Sequence, residues 1–176
     1  AAQDPRVTAI HKPNTGVSDT RNLAIGRARG TYLQFLDSDD WITPDATMLL
    51  VQTAQQYSCD LVISDFYRVV GERVSRKGDI DDDTVLSREE YAAHMMENPA
   101  DFYYGVLWNK LYRRELVERY HLRMDPEISW CETFYSIWST SAGRSGSTPV
   151  CPDLLLCQDQ GVPASQSLSI SRTVKM

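Results

Sequence analysis

Along the first third of the chain, short apolar runs alternate with polar, cap-rich stretches, and the hydrophobic spacing switches between strand-like and helix-like. Residues 7–10 form a β-like run, followed by the loop His11-Lys12-Pro13-Asn14-Thr15-Gly16. Ser18 or Asp19 is placed to cap a helix carrying Arg21, Ala24 and Ala28, and Gly30 stands where a left-handed C-terminal cap is expected. Residues 32–36 read as a buried strand that stops abruptly at Asp37-Ser38-Asp39-Asp40. Thr43-Pro44-Asp45 then predicts a helix start, with a capping hydroxyl, a first-turn proline and an acid near the positive end of the helix dipole. That helix runs through Met48, Leu49 and Val51 to about Tyr57, and residues 61–64 form the next strand. Strand, helix, strand, helix, strand predicts an α/β layer built on a parallel sheet.

The middle of the chain is less regular. Residues 66–70 and the stretch near Val74 suggest a hairpin or edge strands around Gly71, and Ser87-Arg88-Glu89-Glu90 is a capping box opening a helix through Tyr91 and Met95. Residues 107–112 lead into a short charged helix over 113–120. After Gly143 the sequence turns rich in Ser, Gly and Pro and reads as irregular, apart from a strand near 154–157. No internal repeat and no dividing linker is visible, so 1–176 reads as one domain.

Composition narrows the function classes. The chain has 176 residues, 42% apolar and 24% charged, ordinary values for one globular domain. No apolar run approaches the ~18 residues of a membrane span. The first residues lack the hydrophobic core of a signal peptide, and the expected location is cytoplasmic. With a net charge of −6 and no Lys/Arg stripe, nucleic acid is not an expected partner. Cys59, Cys131, Cys151 and Cys157 form neither a CxxC pair nor a Cys/His cluster, and are expected to be reduced, mostly buried thiols.

The chemistry gathers at the acidic turn. Ligands of open α/β sheets bind beyond the carboxyl ends of the strands, and three carboxylates within four residues repel unless they share a cation. Mg²⁺ is commonly held by one or two carboxylates together with substrate phosphates. A solvated turn capping the next helix explains the same residues.

The run Asn14-Thr15-Gly16-Val17-Ser18-Asp19-Thr20-Arg21-Asn22, then Ala28-Arg29-Gly30-Thr31-Tyr32-Leu33-Gln34-Phe35-Leu36-Asp37-Ser38-Asp39-Asp40, resembles family 2 glycosyltransferases, as does Asn109-Lys110-Leu111-Tyr112-Arg113. The resemblance spans about residues 7–134 and is most specific in its first third. It implies a GT-A-like α/β/α fold of three layers with a mixed, mostly parallel sheet. The family's opening βαβ unit is missing from this sequence, so the resemblance is to an N-terminally truncated member. It divides the chain into a donor and metal half over 7–65, an acceptor-side half over 66–142 and the irregular segment 143–176.

By the same resemblance, Asp37 and Asp39 match the DxD pair, Asp37 near the nucleotide ribose and Asp39 on Mn²⁺ or Mg²⁺ bridging the diphosphate. Arg21 becomes a candidate nucleotide contact, with a surface helix arginine as the alternative, and Asn14 a candidate on the phosphate side, with a purely structural role in the loop as the alternative. Asn109 and Lys110 would lie toward the acceptor, with Lys110 as an ordinary solvated lysine on the bland reading. The implied activity is metal-dependent, inverting transfer of a sugar from a nucleotide sugar, UDP-linked by preference, to a glycan or lipid-linked acceptor, in polysaccharide synthesis. Peripheral membrane association at the inner membrane face and homo-oligomerisation stay open.

The resemblance implies a base that is the Asp of a Glu-Asp pair, and here Glu132 is followed by Thr133, so either Glu132 or a remote acid is the candidate base, with Glu132 as a helix-start acid on the bland reading. That departure keeps a non-catalytic module as the alternative, and a nucleotidyltransferase as a minor one. A further pattern, Asp79-x-Asp81-x-Asp83 with Glu90, has EF-hand spacing but carries Thr84 at the glycine position, so a polar turn before a capped helix is expected instead.

Overall fold

A computed structural model describes residues 4–70, 72–80, 85–97 and 102–126 together with two later strands. The elements run α1 (Val17–Arg27), β1 (Tyr32–Gln34), α2 (Ala46–Gln56), β2 (Leu61–Ser64), β3 (Phe66–Val70), β4 (Arg73–Lys77), β5 (Val85–Ser87), α3 (Arg88–Glu97), α4 (Phe102–Gly105), β6 (Lys110–Arg113), α5 (Arg114–Arg119), β7 (Leu155–Asp159) and β8 (Leu168–Arg172).

The main sheet has the order β1-β6-β2-β7-β5. Strands β1, β2 and β7 point one way, because β6 is antiparallel to both β1 and β2 while β7 is parallel to β2. β5 is antiparallel to β7, which makes the sheet mixed. The β1–α2–β2 unit gives the parallel sense expected of it, yet its strands are not neighbours, since β6 lies between them. In β6 Lys110, Leu111 and Tyr112 are all buried, which agrees with its central place. A second sheet of order β4-β3-β8 contains the expected hairpin, paired from Phe66↔Lys77 to Val70↔Arg73. β7 is the strand expected near 154–157 and β8 lies in the stretch expected to be irregular; each pairs in parallel with an early strand.

The core forms where α2 packs on β2 and β7, burying Ala46, Leu50 and Ala54 at four-residue spacing. All four residues of β2 are buried, as a central strand covered on both faces requires. Among the described residues no helix is long and apolar enough to cross a membrane.

Element ends depart from the sequence expectations in instructive ways. Helix α1 starts at Val17 with Gly16 as its cap in left-handed geometry (φ 91°), and Ser18 is buried inside the helix rather than capping it. Helix α2 starts at Ala46, and Thr43-Pro44-Asp45 forms the turn ahead of it, where Thr43 O accepts from Ala46 N at 3.2 Å. Gly30 is not a left-handed cap: α1 ends at Ala28 in extended geometry (ψ 139°). The left-handed caps fall instead on Ser58 (φ 55°) and His121 (φ 51°). Each closes a Schellman motif, with Cys59 N donating to Ala54 O and Leu122 N to Val117 O, both at 2.9 Å. The residue after each turn, fully buried Cys59 in one case and partly buried Leu122 in the other, packs on the core, which a search for glycine misses. The α3 capping box is as expected: Glu90 carboxylate accepts from Ser87 N at 2.7 Å, and Glu90 N donates back to Ser87 Oγ at 3.3 Å.

Two further expectations change. Residues 7–10 form no strand, and Val7 is exposed. Cys59 is fully buried and disulfide-bonded, so the expectation of four reduced thiols fails there; spacing in sequence does not say which cysteines meet.

Gly78 packs directly on the carboxylate of Asp65, and a Cβ built on it would sit 2.5 Å from Asp65 Cγ. That carboxylate cannot easily move, because Arg76 grips it through Nε at 2.8 Å and a terminal nitrogen at 2.6 Å. Gly78→Ala is therefore expected to destabilise the fold by about 1–3 kcal/mol, read from the midpoint of a urea titration.

Candidate functional site

The acidic turn follows β1 at the carboxyl edge shared by β1, β2 and β7. Asp40 N donates to Asp37 O at 3.2 Å, which folds residues 37–40 back and brings Asp37 and Asp39 onto one short turn. From the neighbouring helix α1, Arg21 donates to Asp37 Oδ1 at 2.8 Å. Both side chains are partly shielded from water, so this ion pair is screened less than a surface pair. Asp39 is exposed and makes no side-chain hydrogen bond or ion pair among the described residues.

The loop before α1 is organised by its own polar side chains. Asn14 Oδ1 accepts from Gly16 N at 3.1 Å, and Gly16 O accepts from Thr20 Oγ1 at 2.7 Å. Lys12 Nζ reaches Thr20 Oγ1 at 3.1 Å, lies 3.4 Å from the Asp19 carboxylate, and also donates to Thr15 Oγ1. Asn14 thus shapes the left-handed turn at Gly16, and its amide nitrogen is left for other contacts.

Asn109 and Lys110 do not lie on the surface, and Lys110 is not solvated. Both are fully buried. Lys110 Nζ donates to Tyr103 O at 3.0 Å, Val106 O at 2.6 Å and Asn109 Oδ1 at 2.7 Å, one acceptor for each proton of an ammonium. Asn109 Nδ2 donates to Tyr103 O at 3.0 Å and Ser64 O at 3.3 Å. Burial pushes the Lys110 amine well below the usual lysine range. The remaining residues of the stretch complete a structural strand: Leu111 is in the core, Tyr112 meets Phe35 edge-on at 5.7 Å between ring centres, and Arg113 pairs with Asp60 at 2.8 Å. The polar residues are there because α4 offers its carbonyls to the core and something must satisfy them.

Glu132 and Thr133 lie outside the described residues. The calcium-like spacing is spoken for at both ends, with Asp79 accepting from Tyr104 Oη at 2.6 Å and Glu90 engaged in the capping box. Two polar roles were missed from sequence. Asp65, directly after β2, anchors Arg76 and helps burial push the Tyr103 phenol up. Asn22 reaches across to Met124, with Nδ2 donating to Met124 O and Oδ1 accepting from Met124 N, both at 2.8 Å. An asparagine inside a helix, a poor helix former, was the available signal.

Among the described residues no group of three or more His, Cys, Asp or Glu side chains forms a metal cage. The acidic turn suits a different arrangement, a hard cation held by one or two carboxylates and completed by phosphate oxygens and water. Exposed Asp39 beside fixed Asp37 fits that donor set.

Residues 1–121 match the family described as Glycosyl transferase family 2. This chain belongs to that family. EpsJ of Bacillus subtilis (strain 168), described as an uncharacterized glycosyltransferase, is 33% identical over 133 residues, covering 75% of this chain and 39% of EpsJ. EpsH of the same organism is 36% identical over 125 residues, covering 69% of this chain and 35% of EpsH. This family 2 chain therefore spans well under half the length of these curated relatives. The crystal structure of S. aureus TarS 1-349 in complex with UDP-GlcNAc superposes with a TM-score of 0.56 at 13% identity, covering 88% of this chain and 42% of that one. At that identity the likeness shows the fold, and it is the GT-A-like α/β fold expected from the sequence.

Proposed function

We propose that this family 2 chain forms the donor-binding part of a metal-dependent, inverting glycosyltransferase using a UDP-sugar. The observation that carries the reading is the Arg21–Asp37 pair at 2.8 Å, which fixes the acidic turn while Asp39, two residues on, stays exposed. The UDP-GlcNAc held by the TarS structure supports a uridine donor.

In this reading Asp37 is held in one orientation by Arg21 and faces the nucleotide, and Arg21 adds positive charge beside the diphosphate. Asp39, with Asp37, would hold Mn²⁺ or Mg²⁺, which supplies charge neutralisation to the departing diphosphate. Asn14 sets the turn at Gly16 from which α1, and with it Arg21, is launched. The acceptor, a glycan or lipid-linked sugar, bonds its hydroxyl oxygen to the anomeric carbon as the bond to UDP breaks. A base takes the hydroxyl proton, and Glu132 is the candidate.

Calorimetric titration of the chain with UDP and Mn²⁺ tests the reading. Binding that disappears when EDTA strips the metal is expected. Equal heats with and without metal would remove the cation from the proposal, and absence of UDP binding under both conditions would overturn the donor assignment.

A further inference from the structure

We infer that Asn22 is a positioning residue for the transfer reaction, fixing the backbone at Met124 relative to the donor turn; the inference rests on the transferase reading above. Arg21 and Asn22 are consecutive on α1 and reach different segments. Arg21 holds Asp37 in the acidic turn at 2.8 Å, and Asn22 holds both backbone groups of Met124 at 2.8 Å each. A primary amide does this at neutral pH. A carboxylate cannot donate to Met124 O, and a single hydroxyl cannot span both groups.

The clamped segment is defined from both sides. His121 in left-handed geometry turns the chain out of α5, Leu122 N closes the motif on Val117 O, and the Met124 side chain is only 1% exposed. The chain then continues in sequence toward Glu132. One step of α1 thus ties the donor turn to the segment that leads to the candidate base. A displacement of about 1 Å at a reacting group costs on the order of 100-fold in rate, so the clamp sits where it affects turnover more than donor affinity.

Asn22→Ala and Asn22→Asp in the full chain test this. Both variants are expected to bind UDP–Mn²⁺ within about 2-fold of the unsubstituted chain, because no donor-side residue changes. Their Met124 amide should exchange with deuterium faster, and kcat for UDP release, measured with UDP-glucose, UDP-galactose, UDP-N-acetylglucosamine and UDP-glucuronate and water as acceptor, should fall about 10- to 100-fold at unchanged KM. Asn22→Asp keeps the acceptor for Met124 N and at neutral pH sets a carboxylate against Met124 O. Protonation restores a donor, so its kcat should recover toward pH 5 relative to the unsubstituted chain, and that of Asn22→Ala should not. Unchanged kcat in both variants, or loss in KM alone, overturns the positioning role while UDP binding stands. Release from no UDP-sugar by an unsubstituted chain that binds UDP overturns it too. Failure of the unsubstituted chain to bind UDP instead overturns the underlying transferase reading. Should Asn22→Ala not fold, the pH recovery of Asn22→Asp decides the matter alone.

Discussion

Asp39→Ala should weaken Mn²⁺-dependent UDP binding by more than about 100-fold, since loss of even an outer-shell partner of a bound metal costs about 10–100-fold in affinity. The same substitution should leave the fold intact. Asp39 is exposed and its carboxylate makes no hydrogen bond or ion pair among the described residues, so its removal falls in the range of ordinary surface changes, within about 0.5 kcal/mol. The combination separates this residue from its neighbour. Asp37 carries the ion pair with Arg21, and removing it disturbs α1 as well as the turn. Calorimetry for binding and urea denaturation for stability, run on one preparation, check both halves. Retained metal-dependent binding in Asp39→Ala would move the cation elsewhere.

The largest stability effect is expected at Lys110. Lys110→Ala removes a fully buried side chain and strands Tyr103 O, Val106 O and Asn109 Oδ1. A cavity plus unsatisfied acceptors should cost about 3–5 kcal/mol, a large part of the ~5–15 kcal/mol that holds a domain together. Lys110→Met keeps most of the volume and isolates the polar loss. The pH dependence carries a sign. Burial lowers the folded-state affinity of Lys110 for its proton, so between that lowered pKa and the ordinary lysine value of ~10.4 the unfolded chain binds more protons. In that window the contribution of Lys110 makes stability rise with pH, and Lys110→Met should lose the slope. The buried Tyr91 phenol, pushed above its ordinary range, acts oppositely from about pH 10, where only the unfolded chain loses the proton. Denaturant midpoints from pH 8 to 10, compared between the two proteins, read the difference.

The chain by itself determined the alternation of β1, α2 and β2, the β3–β4 hairpin, the capping box at Ser87 and the acidic turn at the end of a buried strand. These are local: a cap, a period or a turn is written in neighbouring residues, and so was the family signature around Asp37. Helix ends at Ser58 and His121 were decided by the packing of Cys59, Leu122 and Met124 on the core, which no local residue announces. The same holds for β6 between β1 and β2, for the buried Asn109–Lys110 pair and for the Asn22 clamp on Met124. A polar side chain in a sequence can equally face water, a substrate or a distant carbonyl. Only the packed chain removes the first of these, because a buried donor must find its acceptor wherever the fold has brought one.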